Sequence, residues 1–150
     1  MSTGQQPPVS ASLQVGGKDD ALEQRLDDEL TAFNARATGA GDPVPFSVRV
    51  TDSGDELVGG LTAWVWGSLC AIDMLWVRED QRHAGWGGKL LRAAEEEGAR
   101  RGCTEAIVSS FTFQAPGFYQ RRGYRESGRT EGIPGGHQDV HFHKALTAPR

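Results

Sequence analysis

The stretch that decides the reading is Leu75-Trp-Val-Arg-Glu-Asp-Gln-Arg-His-Ala-Gly-Trp-Gly-Gly-Lys-Leu-Leu91. Its first three residues end an apolar, strand-like run. Its middle is polar, and glycines at 85, 87 and 88 open a segment in which Leu90, Leu91, Ala94 and Gly98 recur at helical spacing. A strand feeding a glycine loop that opens a helix leaves several backbone N–H groups unpaired at the positive end of the helix dipole. Glycine lets that backbone approach an anion with no Cβ in between. The arrangement suits a phosphate or pyrophosphate, and Arg82 adds a fixed positive charge.

Upstream of this stretch, Leu57 to Trp66 and Leu69 to Val77 read as two strands joined at Gly67-Ser68, with Gly59-Gly60 marking a bulge or a close backbone contact. Phe46 to Asp52 alternates as a strand and ends in the turn signal Asp52-Ser-Gly-Asp. Between Lys18 and about Ala37, Leu22, Leu26, Leu30 and Phe33 recur at helical spacing behind the charges of Asp19 and Asp20. Val9, Ala11, Leu13 and Val15 alternate as a first strand, and residues 1–8 read as a polar, Pro-rich, flexible tail. Downstream, the helix from about Gly85 stops at Gly102. Thr104 to Phe111 is strand-like, Ala115 to Arg122 is a short helix closed by Gly123, and Tyr124 to Thr130 and Asp139 to Leu146 complete the strands. This order predicts one α/β (α+β) domain over 1–150 with a partly antiparallel sheet and no internal repeat.

Composition narrows the classes. The chain is 37% apolar and 24% charged, which fits a globular domain, and its 20 glycines are scattered among apolar runs as turns and close approaches rather than as disorder. No stretch approaches the ~20 apolar residues of a membrane helix. The segment Met1-Ser-Thr-Gly-Gln-Gln-Pro-Pro8 lacks the basic and apolar regions of a signal peptide, so a cytoplasmic location is expected. Cys70 and Cys103 each sit in an apolar run and read as buried thiols. A net charge of −4, with no basic stripe interleaved with aromatics, speaks against nucleic-acid binding. Arg100, Arg101, Arg121 and Arg122 fall near element ends, where they offset helix dipoles.

Three phosphate-binding motifs compete for the glycine loop. A Walker loop needs four residues between its first glycine and Gly-Lys, then Ser or Thr to hold magnesium; here Leu90 follows Lys89. A dinucleotide fingerprint needs its third glycine where Leu90 stands. What remains is Arg82-x-x-Gly85-x-Gly87, followed by Leu90-Leu91. After the next strand comes Ala115-Pro-Gly-Phe118-Tyr119-Gln-Arg-Arg-Gly123-Tyr124. On these residues the chain resembles the GNAT superfamily of acetyl-CoA-dependent N-acetyltransferases, over roughly residues 46 to 147.

The resemblance implies a mixed, partly antiparallel sheet of six to seven strands, flanked by about four helices, with a splayed pair of central strands. The strand ending Leu75-Trp76-Val77 then parts from that of Ile107 and Val108, and the gap admits the pantetheine arm of acetyl-CoA near Val77. Backbone amides of His83, Ala84, Gly85, Trp86, Gly87 and Gly88 take the pyrophosphate, with Arg82 as a phosphate or turn-stabilising partner. Thr112 stands where many members carry an asparagine that meets the coenzyme. Tyr119 matches the general acid that protonates the leaving thiolate; its alternative is a core tyrosine beside Phe118. For the base, simple alternation puts Asp73 on one sheet face with Leu75 and Val77 and opposite Trp76. An acidic residue inside Ala71-Ile-Asp-Met-Leu-Trp-Val77 is a base if buried. A structural aspartate and an anchor for a substrate ammonium are its alternatives, and many members of the family use a water relay in place of a direct base.

His137, His141 and His143 invite a metal reading, but no third ligand at suitable spacing accompanies them, and no metal is expected. His137, in the loop Pro134-Gly-Gly-His137, is a candidate for the acceptor pocket or an alternative base. Trp64 and Trp66 share one strand face; Trp64 is a candidate floor for a cationic amine, with core packing as its alternative. The acidic run Asp19, Asp20, Glu23, Asp27, Asp28 and Glu29 either attracts such an amine or is a solvated face. The expected function is acetyl transfer from acetyl-CoA to a primary amine of a small molecule, such as an aminoglycoside-like antibiotic or a polyamine. The alternatives are a protein lysine or N-terminal acetyltransferase and a non-catalytic coenzyme-A-binding module. A homodimer is the assembly the resemblance suggests.

Overall fold

The structure, a computed structural model, describes Gly4 and residues 10–147. Its elements are α1 (Asp20–Thr38), β1 (Val44–Thr51), β2 (Leu57–Trp66), β3 (Leu69–Val77), α2 (Trp86–Arg100), β4 (Glu105–Phe111), α3 (Pro116–Gln120), β5 (Arg125–Ile133) and β6 (His137–Ala145). Among the described residues, three α-helices stand where about four were expected. The remaining helical piece is a single 3₁₀ turn, Glu79–Gln81, in the loop before α2. The chain divides into two compact units after Ala40.

In the first unit, Asp19 caps α1 by accepting from the Leu22 N–H at 3.0 Å, and Gly39 ends it in the left-handed region at φ 68°. Leu22, Leu26, Leu30 and Phe33 form the expected stripe, but each is more than half exposed. The acidic residues are exposed too, and Arg25–Glu29 pairs along the helix surface. Residues 10–15 form no strand: Leu13 and Val15 are almost fully exposed, and no partner strand takes up their alternation. Val9 and all but Gly4 of the expected tail lie outside the described residues.

The second unit is one six-stranded mixed sheet in the order β1-β2-β3-β4-β6-β5. Every neighbouring pair is antiparallel except β3 and β4. These two run parallel and pair only over Leu69–Ala71 with Glu105–Ile107. Beyond Ala71 they part, which is the expected splay.

One face of this sheet packs on α2. Alternate residues of β2 (Leu61, Ala63, Val65), of β4 (Ala106, Val108) and of β6 (Val140, Phe142) meet Leu90, Leu91 and Ala94 of α2, together with Tyr119 and Tyr124. Gly98 lets α2 lie against β3, since a Cβ there would fall 3.1 Å from Cys70 Sγ. Both cysteines are free and buried. No described helix is long and apolar enough to cross a membrane.

β3 carries an irregularity that the alternation pattern does not contain. Thr62 pairs with Met74 while Ala63 pairs with Ile72, so Asp73 is the extra residue of a β-bulge. Ile72, Leu75 and Val77 therefore face the core, whereas Asp73, Met74 and Trp76 are exposed. Asp73 thus does not share a face with Leu75 and Val77, and it lies on the same side as Trp76. The bulge shifts the alternation by one residue.

Candidate active site at the parted strands

The glycine loop is held at both ends before it reaches α2. Arg78 donates its backbone N–H to Val58 O at 2.7 Å, and its guanidinium bonds Asp80 at 2.6 and 3.2 Å and approaches Asp52 at 3.5 Å. Arg82 donates from Nε to Val77 O at 2.9 Å, which ties the loop back to the end of β3. Of the two roles open to Arg82, turn stabilisation is the one seen. His83 adopts φ 69°, a region that costs a non-glycine residue energy, and Gly85 caps α2 at φ 86°.

No side chain caps α2, and its first turn holds no acidic residue. The N–H groups of Trp86, Gly87 and Gly88 therefore lack partners inside the helix and inside its cap. The two glycines of that turn also admit neighbours: a Cβ on Gly87 would lie 3.2 Å from the Phe118 ring, and one on Gly88 would lie 2.8 Å from Arg122 Nη2. Arg122 stacks on Phe118 at 3.9 Å and donates to Phe118 O at 3.1 Å. The first turn of α2 is thereby pressed against the residue preceding Tyr119. Lys89 lies over the Trp86 ring at 4.6 Å.

Tyr119 is 7% exposed, and its ring is fixed edge-on or tilted against Phe118, Tyr124 and Phe142 at 5.1, 5.7 and 5.9 Å. Its hydroxyl makes no hydrogen bond among the described residues, so it is free to serve a ligand. Burial raises the pKa of this phenol above its ordinary value, and the group is a neutral proton donor at physiological pH.

The opposite face of the sheet carries an open groove lined by Pro45, Thr62, Trp64, Asp73 and Met74, among others, and a second hollow, lined in part by Trp76, shares Ser47, Thr62 and Met74 with it. The structure thus brings together Trp64 and Asp73, two of the three residues expected to hold the acceptor, whereas His137 does not line this groove. Asp73 is exposed, so the burial that would make it a base is absent. Thr62 Oγ1, in the lining of this groove, is buried and has no hydrogen-bond partner among the described residues.

His137 is not in a loop but opens β6, at the far side of β4. Its Nδ1 lies 2.9 Å from Thr112 Oγ1, which also accepts the Gln138 N–H at 3.1 Å. Thr112 is therefore engaged in joining β4 to β6. Phe113 meets the His137 ring edge-on at 5.0 Å. Sequence reasoning overlooked Asp139, whose buried Oδ1 lacks a partner among the described residues, and Glu95, which binds both Tyr124 and Lys144. Among the described residues, no group of three or more His, Cys, Asp or Glu is placed to hold a metal ion.

Known proteins are similar to this chain in sequence and in fold. A blasticidin-S acetyltransferase of Streptomyces morookaense is 42% identical over 82 residues, a match covering 54% of this chain and 60% of that protein. A crystal structure of an acetyltransferase from Bacillus cereus superposes with a TM-score of 0.80 at 30% identity, covering 89% of this chain and 98% of that one. An aminoglycoside 6′-N-acetyltransferase solved with coenzyme A has the same fold, with a TM-score of 0.63 at 22% identity over 87% of this chain and 89% of that one. The sequence profile of the Acetyltransferase (GNAT) family matches residues 16–124, and the chain belongs to that family.

Proposed function

We propose that this chain transfers the acetyl group of acetyl-CoA to a primary amine of a small molecule, and that the amine belongs to blasticidin S or a related antibiotic. The observation that carries the reading is the uncapped start of α2, in contact with α3, whose Tyr119 keeps a free hydroxyl. The residues fit the co-substrate. The amides of Trp86, Gly87 and Gly88, reached through His83, Ala84 and Gly85, take the pyrophosphate, and the helix dipole favours its charge. The edge of β3 beyond Ala71, along Leu75, Trp76 and Val77, receives the pantetheine amides, because β4 no longer pairs with it. The 42% identity to a blasticidin-S acetyltransferase supports the antibiotic acceptor.

Acetyl-CoA supplies the thioester; the chain supplies position and one proton. Trp64 and Asp73 hold the cationic acceptor in the groove, and the ammonium loses a proton to solvent before attack. The amine nitrogen bonds to the carbonyl carbon and the carbon–sulfur bond breaks. Tyr119 gives its proton to the departing thiolate and recovers one from the newly acylated nitrogen. One proton is released per turnover. A cytoplasmic location and a homodimer belong to the same proposal.

The test is thiol release from acetyl-CoA by the full chain with blasticidin S, an aminoglycoside and a polyamine offered separately. We expect saturable, amine-dependent release with the antibiotic, and a fall of about 10²-fold in kcat for Tyr119→Phe with acetyl-CoA affinity unchanged. Absence of amine-dependent release with all three acceptors sinks the reading.

A further inference from the structure

Among the described residues, the Tyr119 hydroxyl has no hydrogen bond to hold it in place, and ring packing fixes the side chain. Rings packed on rings resist displacement but set direction weakly. Of its three aromatic neighbours, Tyr124 alone has a polar end. That end donates from Oη to Glu95 Oε2 at 2.8 Å. Lys144 donates to both oxygens of the same carboxylate, at 3.0 and 3.1 Å, and lies 5.5 Å from the Tyr124 ring centre. Tyr124 is also tied to Tyr119 through the backbone, its N–H donating to Tyr119 O at 3.1 Å.

The elements joined here are informative. Glu95 stands on α2, whose first turn is the anion cradle; Lys144 stands on β6; Tyr124 follows α3. The side chains of Glu95 and Lys144 are mostly buried, at 16% and 27% exposure. Burying such a pair is a poor way to gain stability, because apolar residues of similar volume often do as well or better. What an ion pair with a shared phenol provides is direction. We propose that Glu95, with Tyr124 and Lys144, is a positioning group that fixes the Tyr119 phenol relative to the cradle on α2. It touches neither acetyl-CoA nor the amine, and acts only through the Tyr119 ring. The inference rests on Tyr119 being the proton donor.

Tyr124→Phe removes the hydroxyl and keeps the ring. Because a displacement of about 1 Å costs on the order of 10²-fold and this change is smaller, kcat should fall about ten-fold. The KM for acetyl-CoA and the urea midpoint should stay near those of the parent. Lys144→Arg should retain turnover that Lys144→Met loses. The deciding measurement places Tyr124→Phe in the Tyr119→Phe background, where it should lower the residual kcat by less than two-fold. A full ten-fold loss in that background means Tyr124 acts through general structure, and overturns the proposal. Unchanged kcat for Tyr124→Phe beside a large loss for Tyr119→Phe overturns the proposal alone. Unchanged kcat for Tyr119→Phe removes both it and the acid assignment.

Discussion

Gly59 and Gly60 are adjacent in β2, and replacing each by alanine should have opposite consequences. Neither has a positive φ, so alanine fits both backbones. At Gly60 the new Cβ would meet only Val48 O at 3.5 Å, an ordinary contact. Gly60→Ala should therefore be neutral or stabilising by about 0.5 kcal/mol, through the entropy removed from the unfolded chain. At Gly59 the Cβ would fall 2.9 Å from Trp76 O and 3.2 Å from Leu90 Cδ1. The first neighbour is backbone and cannot rotate away, so β2 and β3 must separate by several tenths of an ångström. Overpacking of this kind costs about 1–3 kcal/mol, and the entropic gain offsets ~0.5 of it, leaving a loss of roughly 0.5–2.5 kcal/mol. With a mid-range urea slope of about 2 kcal/mol per molar, the midpoint should drop by roughly 0.25–1.25 M. The strain also falls on the end of β3, where Gly59 pairs with Val77 at the parted strands. Acetyl-CoA binding, followed by calorimetry, should weaken for Gly59→Ala and not for Gly60→Ala. Equal urea midpoints for the two variants would refute the close approach on which this reasoning depends.

Two further outcomes follow from the same geometry. Burial pushes the Cys70 thiol from 9.0 up to about 11, and this residue is wholly inaccessible. Its contribution to stability is full below the unfolded thiol's pKa and is lost as pH rises through the folded one, amounting to roughly 2–3 kcal/mol. Urea unfolding at pH 8 and pH 11 should show that decline, and Cys70→Ala should lessen it; an identical decline in the variant would contradict the assignment. At the groove, Asp73→Asn should raise the amine KM only about two- to five-fold, because an exposed ion pair contributes ~0.2–1 kcal/mol, and should leave kcat within two-fold. A hundred-fold fall in kcat at saturating amine would instead make Asp73 the base.

The glycine loop was legible because its information is local. Glycines at 85, 87 and 88 after an apolar strand specify an uncapped helix start whatever surrounds it, and both Leu57–Trp66 and Leu69–Val77 were bounded by turn residues on the chain itself. The splay was legible only through family resemblance, since nothing within β3 or β4 marks where their pairing stops. The face of Asp73 was not legible, because the bulge is a property of the register between β2 and β3 rather than of either strand. Periodicity counts residues, and one extra residue inverts everything on one side of it. The Glu95–Lys144 pair, 49 positions apart, left no sequence signal; on α2, Glu95 is one glutamate among three in a row. Alternating apolar residues at Ala11, Leu13 and Val15 misled for the converse reason, because alternation describes a strand only where another strand accepts it.

The bulge has a consequence for how the proposed reaction proceeds. Tyr119 and the first turn of α2 lie on the face of the sheet that α2 covers, whereas Trp64 and Asp73 line the groove on the other face. Donor and acceptor groups in these positions meet only where the sheet is open, between β3 beyond Ala71 and β4 beyond Ile107. Had β3 continued its alternation, Asp73 would have faced the apolar core, where a carboxylate is costly without a partner. One inserted residue instead turns it toward the groove, while Leu75 and Val77 stay packed against the core. Relay through an acetylated cysteine would need a thiolate at the opening. Cys70 is fully buried among core residues with its pKa near 11, and Cys103 is also buried and pushed upward. Transfer through the parted strands, with amine and thioester bound together, is the route this arrangement of faces supports.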